Sequence, residues 1–253
     1  MTITSKNNEK LKLARKLAER KHREREGLFV TEGEDLLEAG RSAGLEPDVL
    51  LTRAGEGLGG DEVDAALLDA ASALGSGTRA IAIWPLPAIK RPTRPGIEGH
   101  AGRSREQEGS RRALHVYLHG VGDPGNVGSI VRSAGALADA WVALGPDCAD
   151  PFGPKAVRAS MGAIFSVPVT HCEIADTPAP RVSLVTDGGA PTLREGARTL
   201  CLGSERDGLP PEVISASDAT WTIPMRSDAV ESLGVAAAAA IALSRIGSRV
   251  GEE

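Results

Sequence analysis

Apolar and polar positions follow two rhythms along this chain. Over 8–26 a polar stretch carries Leu11, Leu13, Ala14, Leu17 and Ala18 at spacings of three and four, which predicts a single amphipathic helix. Short apolar runs of strand length then alternate with helical patterns: strands over 28–30, 48–52 and 80–84, helices over 35–43 and 62–74. Pro85 and Pro87 close this small α/β section. Residues 90–112 are rich in Pro and Gly and almost free of apolar side chains, the composition of a linker. Beyond it the alternation resumes, with strands over 114–118, 140–144, 164–169, 182–186, 199–202 and 219–223. Helical patterns cover 127–138, 154–161 and 230–246. The expected organisation is therefore α/β throughout: a small domain over 1–88, a basic linker over 89–112, and a mainly parallel sheet covered by helices over 113–253. In such sheets ligands bind beyond the carboxyl ends of the strands. That directs attention to the segments beginning at His119, Thr186, Gly203 and Pro224.

Composition narrows the class. With 253 residues, 41% apolar and 25% charged, the chain has the make-up of a folded globular protein, which excludes wholesale disorder and fibrous repeats. No apolar run approaches the roughly 20 residues of a membrane helix, and the amino terminus is polar, so a cytoplasmic location is expected. Cys148, Cys172 and Cys201 stand far apart without a CxxC pair; they are expected to be buried free thiols, with no disulfide framework and no metal site. The net charge of -5 hides an uneven distribution. Up to Glu26 nine basic residues stand against four glutamates, and seven Lys or Arg against three Glu recur over 90–112. Such strips are either solvated faces or contacts to nucleic-acid phosphates.

Directly after the strand at 114–118 comes HGVGDPGNVGSIVRSAG, in which Gly120, Gly122 and Gly125 satisfy G-x-G-x-x-G, with Asp147 further on. A dinucleotide site is one reading, and a glycine-rich turn with Asn126 as helix cap is the other. Asp123 weighs against the first, because its carboxylate would stand beside the pyrophosphate.

Three ordered motifs are more specific than one glycine fingerprint. DPGNVGSIVRSAG over 123–135, LGSERDGLP over 202–210, and IPM with SLGVAAAAAIALSR over 223–245 resemble the motifs of the SpoU/TrmH family (SPOUT superfamily) of RNA 2'-O-ribose methyltransferases. DPFGPKAVRASMGAIFSVPV over 150–169 resembles the segment that follows the first motif there. SKNNEKLKLARKLAERKHREREGLFVTEG resembles the family's L30e-like RNA substrate-binding domain. The resemblance implies a carboxyl-terminal α/β parallel-sheet domain with a deep trefoil knot, S-adenosylmethionine as cofactor, a homodimer, and methyl transfer to a ribose 2'-hydroxyl of structured RNA, ribosomal RNA first. It implies no metal.

Carried onto this sequence, the motifs suggest Arg132, Asn126, Glu205 and Ser232 as catalytic residues. Arginine is a poor free base, so Arg132 is read as a clamp that binds the target's phosphate and orients the hydroxyl, with transient proton acceptance as the bolder version. Asn126 caps its helix or uses its amide on the substrate and Arg132. Thr186, Leu202, Gly203, Ser204, Ile223, Pro224, Met225, Ser232 and Leu233 are the implied cofactor set. Within it Gly203 leaves room for a ligand against the backbone, and 223–225 form an apolar wall for adenine. Lys10, Arg20, Lys21 and Arg23 are the expected RNA contacts. With one Tyr, three Phe and three Trp in the chain, shape and phosphate contacts explain specificity better than base stacking. One departure stands out: Gly234 occupies the place where the family usually has Asn. It keeps open an RNA-binding module with a degenerate, inactive knot, beside the Rossmann NAD-binding oxidoreductase that the glycines alone would suggest.

Overall fold

In the first half of the chain two faces of one sheet are covered by different parts of the sequence. The computed structural model describes residues 2–73, 75, 77–86, 113–226 and 232–248; the basic stretch over 90–112 lies outside the described residues. The chain forms two compact units, the first comprising 1–88 together with 150–166, the second built from the described parts of 89–149 and 167–253.

The first unit opens with α1 (Glu9–Lys16) and α2 (Arg20–Glu26), followed by β1 (Leu28–Glu32), α3 (Glu34–Ser42), β2 (Val49–Arg53), β3 (Asp61–Val63), α4 (Ala65–Asp69) and β4 (Ala80–Pro85). The sheet order is β1-β4-β2-β3, antiparallel except for the parallel β2–β3 pair. Alternation along the strands sorts the side chains. Val30, Leu51, Ile81 and Ile83 join Leu11 and Leu17 of the amino-terminal region and Leu68 of α4 in one core. Phe29, Thr31 and Trp84 point the other way. There Phe29 meets Phe152 edge-on at 5.3 Å, Trp84 meets Phe165 at 4.8 Å, and the Trp84 indole N–H donates to the Thr31 hydroxyl at 2.9 Å. Residues 150–166 therefore belong to this unit because they cover the second face of its sheet.

Three expectations change here. The single helix over 8–26 is two helices, because the Arg23 guanidinium hydrogen-bonds to the carbonyls of Leu17 and Ala18 in the break between them. The helix over 62–74 is replaced by β3 and the short α4, which Asp64 starts by accepting from the Ala66 and Leu67 amides. The strand over 164–169 is a 3₁₀ turn at Ala163–Phe165 followed by a strand beginning at Val169, since Phe165 is used as an aromatic anchor.

The second unit holds β5 (Leu114–Leu118), α5 (Pro124–Leu137), β6 (Ala140–Leu144), β7 (Val169–His171), β8 (Arg181–Leu184), β9 (Thr199–Leu202), α7 (Pro211–Ser215), β10 (Ala219–Trp221) and α8 (Val235–Ser248). The chain leaves this unit for α6 (Pro154–Ala159) and returns at Val167. Six strands form an all-parallel sheet in the order β10-β8-β9-β5-β6-β7. One face carries Tyr117, Ala143 and Cys201 against Leu209 and Val213. α5 and α8 pack against each other, and Ala238, Ala239, Ala242 and Leu243 of α8 are buried. The order of strands reverses between β5 and β9, so the loops leaving these two strands stand at a topological switch point.

Candidate functional site

The site grows from the ends of four strands. After β5 the chain turns at Gly120 and enters α5 with Pro124 in its first turn. The residue before that proline is the cap: the Asp123 carboxylate accepts from the Asn126 amide N–H at 3.0 Å. Asn126 is thus not the cap, as one sequence reading had it, but lies within the first turn with its side chain free to act elsewhere. The Asn126 Nδ2 donates to the Glu205 carboxylate in the loop after β9. Asp123 also fills the helix start that a pyrophosphate would need, which removes the physical basis of the dinucleotide reading.

The loop after β9 is folded on itself. Ser204 and Gly208 exchange backbone hydrogen bonds at 3.1 and 3.2 Å, and the Asp207 amide donates to the Ser204 hydroxyl at 3.0 Å. A side chain at Gly203 would place its Cβ 2.1 Å from the carbonyl carbon of Gly208 and 2.3 Å from the Leu209 nitrogen. Gly203 is therefore required by the loop's own backbone, a reason that the sequence did not show.

This loop forms one wall of a pocket of about 840 Å3. The end of β8 contributes Thr186 and Asp187, the β9 loop contributes Leu202 to Leu209, the segment after β10 contributes Thr222, Ile223 and Met225, and the approach to α8 contributes Ser232, Leu233 and Val235. Of the nine expected cofactor residues, eight line it; Pro224 is exposed and lies outside the lining. Of the four expected catalytic residues, Glu205 and Ser232 line it and Asn126 is tied to it through Glu205. Arg132 is not brought there: it is exposed, six residues along α5 from Asn126 and outside the lining. Asp187, Arg206 and Asp207 also line the pocket and were not singled out from the sequence. Their position beside Thr186 and Glu205 was the available signal.

Burial pushes the Cys201 thiol, next to Leu202, up to about 11, and Cys172 likewise up to about 11. Cys148 is also raised by burial. Such groups stay protonated and unreactive near neutrality. Cys201 alone is fully buried; Cys148 and Cys172 are partly exposed, against expectation, and all three are free. Among the described residues no group of three or more His, Cys, Asp or Glu is placed to hold a metal ion, and no helix is long and apolar enough to cross a membrane.

Of the expected RNA contacts, Lys10, Arg20 and Lys21 are exposed, each with an acidic neighbour: Asp61, Glu24 at 2.7 Å and Glu19 at 2.7 Å. Arg23 is a correction. It is only 4% exposed, pairs with Asp150 through Nη2 at 2.5 Å and Nε at 3.1 Å, and spends its other nitrogen on two carbonyls. Four of its five N–H donors are used inside the first unit and the guanidinium is buried, so it is not presented to a phosphate.

Comparison with known proteins agrees with this geometry. Residues 113–244 match the model of the SpoU rRNA Methylase family, and residues 8–75 match that of the MRM3-like substrate binding domain. The 23S rRNA (guanosine(2553)-2'-O)-methyltransferase of Bacillus subtilis is 29% identical over 94% of this chain and 96% of its own. An uncharacterized tRNA/rRNA methyltransferase of Mycobacterium tuberculosis is 36% identical over 156 residues, 54% of this chain; the chain spans about half of that relative's length, 53%. The structure of an AdoMet-bound rRNA methyltransferase from Sinorhizobium meliloti, 26% identical, superposes with a TM-score of 0.79 and covers 98% of both chains. With a model match over more than half its length and the three motif segments gathered around one pocket and its rim, the chain belongs to the SpoU rRNA methylase family.

Proposed function

We propose that this chain transfers a methyl group from S-adenosylmethionine to a ribose 2'-hydroxyl of ribosomal RNA. The observation that carries the reading is the pocket, because the second and third motifs line it and the first is joined to it by the Asn126–Glu205 hydrogen bond. A volume of about 840 Å3 lies within the range of roughly 300–1,000 Å3 typical of small-molecule sites. Leu202, Leu209, Ile223 and Met225 offer an apolar wall for adenine, with Thr186, Gly203, Ser204, Ser232 and Leu233 around it. The donor set also suits the charge: Asp187, Glu205 and Asp207 face a cation, and Arg206 suits a carboxylate. Bound there, the cofactor supplies an electrophilic methyl on a positively charged sulfur.

The protein's part is to orient and to manage one proton. Asn126 holds the Glu205 carboxylate in place, and Glu205 and Ser232 face the incoming ribose at the pocket. Arg132, exposed on α5, is the clamp for the target's phosphate. A homodimer accounts for its position outside the lining, since a second copy can bring an exposed arginine to a neighbouring pocket. The carboxyl-terminal segment contributing the last pocket wall is the part we assign to the trefoil knot, and the cytoplasm is the location we assign to the protein.

The test is transfer of labelled methyl to unmodified rRNA, with the label located by 2'-O-methyl mapping. Label on a single ribose, lost in Arg132→Ala, is expected. Cofactor binding without label on any RNA would overturn the reading and favour the binding module suggested by Gly234, whose Cβ position meets nothing within 4 Å.

A further inference from the structure

The charged residues of the first unit are sorted by segment. Between Gly27 and Leu86 eleven acidic residues stand against three basic ones, Arg41, Arg53 and Arg79. Each of the three is bound to an acid: Arg41 to Glu46 at 3.4 Å, Arg53 to Asp69 at 2.5 Å, and Arg79 to Glu34 at 2.7 Å and Glu56 at 2.5 Å. This part of the unit repels a polyanion. Residues 151–166 have the opposite character: they contain Lys155 and Arg158 and no acid. The one acid at their border, Asp150, is neutralised by Arg23.

The segment is also built to be held still. The Arg23–Asp150 pair fixes its start, the Phe29–Phe152 contact its first turn, and the Trp84–Phe165 contact its end. A Cβ at Gly153 would lie 3.6 Å from the Arg23 guanidinium, so α6 begins against Arg23 of α2. At the far end of α6 the backbone does something a methionine rarely does. Met161 sits at φ 48°, in the left-handed region, and the residue is 53% exposed, one helical turn beyond the exposed Arg158. A large apolar side chain held in water on an uncommon backbone, one helical turn from a cation, suits an unstacked nucleobase next to its phosphate.

We propose that Arg158 and Met161 extend the RNA-contacting surface of the first unit from α1 and α2 onto the 150–166 segment, Arg158 on a phosphate and Met161 against a base. The proposal rests on the RNA methyltransferase reading. The experiment measures binding of the full-length chain to an in vitro transcribed, unmodified 23S rRNA across a salt series, together with methyl transfer and cofactor affinity. Arg158→Ala is expected to weaken RNA binding about fivefold and to lower the log-log salt slope by about one, as loss of one phosphate contact does. Arg158→Lys retains the slope, and Met161→Ala weakens binding about threefold with the slope unchanged. Cofactor affinity and the thermal midpoint stay at wild-type values. If both alanine variants bind RNA as wild type does, the proposal is overturned, whether or not methyl is transferred. If the expected losses appear in a protein that transfers no methyl, the surface stands and the enzymatic reading alone falls.

Discussion

The Asn126 side-chain amide donates to the Glu205 carboxylate, joining the first turn of α5 to the loop after β9 across 79 positions of sequence. Both residues leave the sheet at its switch point, and the bond sets where the Glu205 carboxylate points. A hydrogen bond to a charged group contributes about 1.5–3 kcal/mol. Asn126→Ala and Glu205→Ala are each expected to slow methyl transfer at least tenfold, while the double variant is no slower than the worse single one. The measurement is a double-mutant cycle on the single-turnover rate; additive losses would show that the two residues act separately.

Gly203 makes a sharper prediction because its constraint is steric. Alanine there would place a methyl 2.1 Å from the Gly208 carbonyl carbon, and main chain cannot yield as a flexible side chain does. The Ser204–Gly208 bridge must open, which removes one wall of the pocket. Gly203→Ala is expected to lose cofactor affinity by more than about a hundredfold, roughly 2.7 kcal/mol, with far-ultraviolet circular dichroism unchanged. Calorimetric titration with S-adenosylmethionine that gave wild-type affinity would refute this account of the loop.

Arg23 predicts a loss of stability rather than of RNA affinity. Its guanidinium is divided between Asp150 and the carbonyls of Leu17 and Ala18, all inside the first unit. Removing one partner of a buried pair strands the other, at a cost of about 3–5 kcal/mol. Arg23→Met should shift the urea midpoint accordingly. Arg23→Lys should rescue little, since an ammonium cannot reproduce the planar fork. An unchanged midpoint together with weakened RNA binding would return Arg23 to the RNA surface.

Arg23 also shows where the sequence stops being legible. The strands β5, β6 and β9 are read to the residue because they are buried runs whose ends are marked by turn residues. The break between α1 and α2 has no such mark: it depends on Arg23, itself fixed by an aspartate 127 positions away. For the same reason Phe165 reads as part of a strand, when its role is to pack against Phe29 and Trp84 of a distant segment. The pocket walls were legible through the motifs, yet not the backbone constraint at Gly203, which depends on how the loop returns on itself. The cap at Asp123 was legible in principle, since a proline in the first helical turn requires its cap just before it.

His115 ties stability to pH. Its ring stacks on Trp141 at 5.6 Å with 26° between planes, and burial, reinforced by the nearby Arg198, pushes its pKa down from 6.5 to about 4. The folded state therefore prefers the neutral ring, whereas the unfolded chain takes up a proton as pH falls through about 6.5. Between these values the unfolded state binds more protons than the folded one, so stability is lost on acidification until pH reaches about 4. Because the ring is partly exposed, the loss is on the order of 1 kcal/mol, well below the full linkage value. His115→Phe keeps a stacking ring that does not titrate. Urea titrations at pH 7, 5.5 and 4.5 should show the gap between variant and wild type shifting in the variant's favour as pH falls. Carboxylates titrate in both proteins alike, so the difference between the two curves isolates His115; parallel curves would mean that the ring has no depressed pKa.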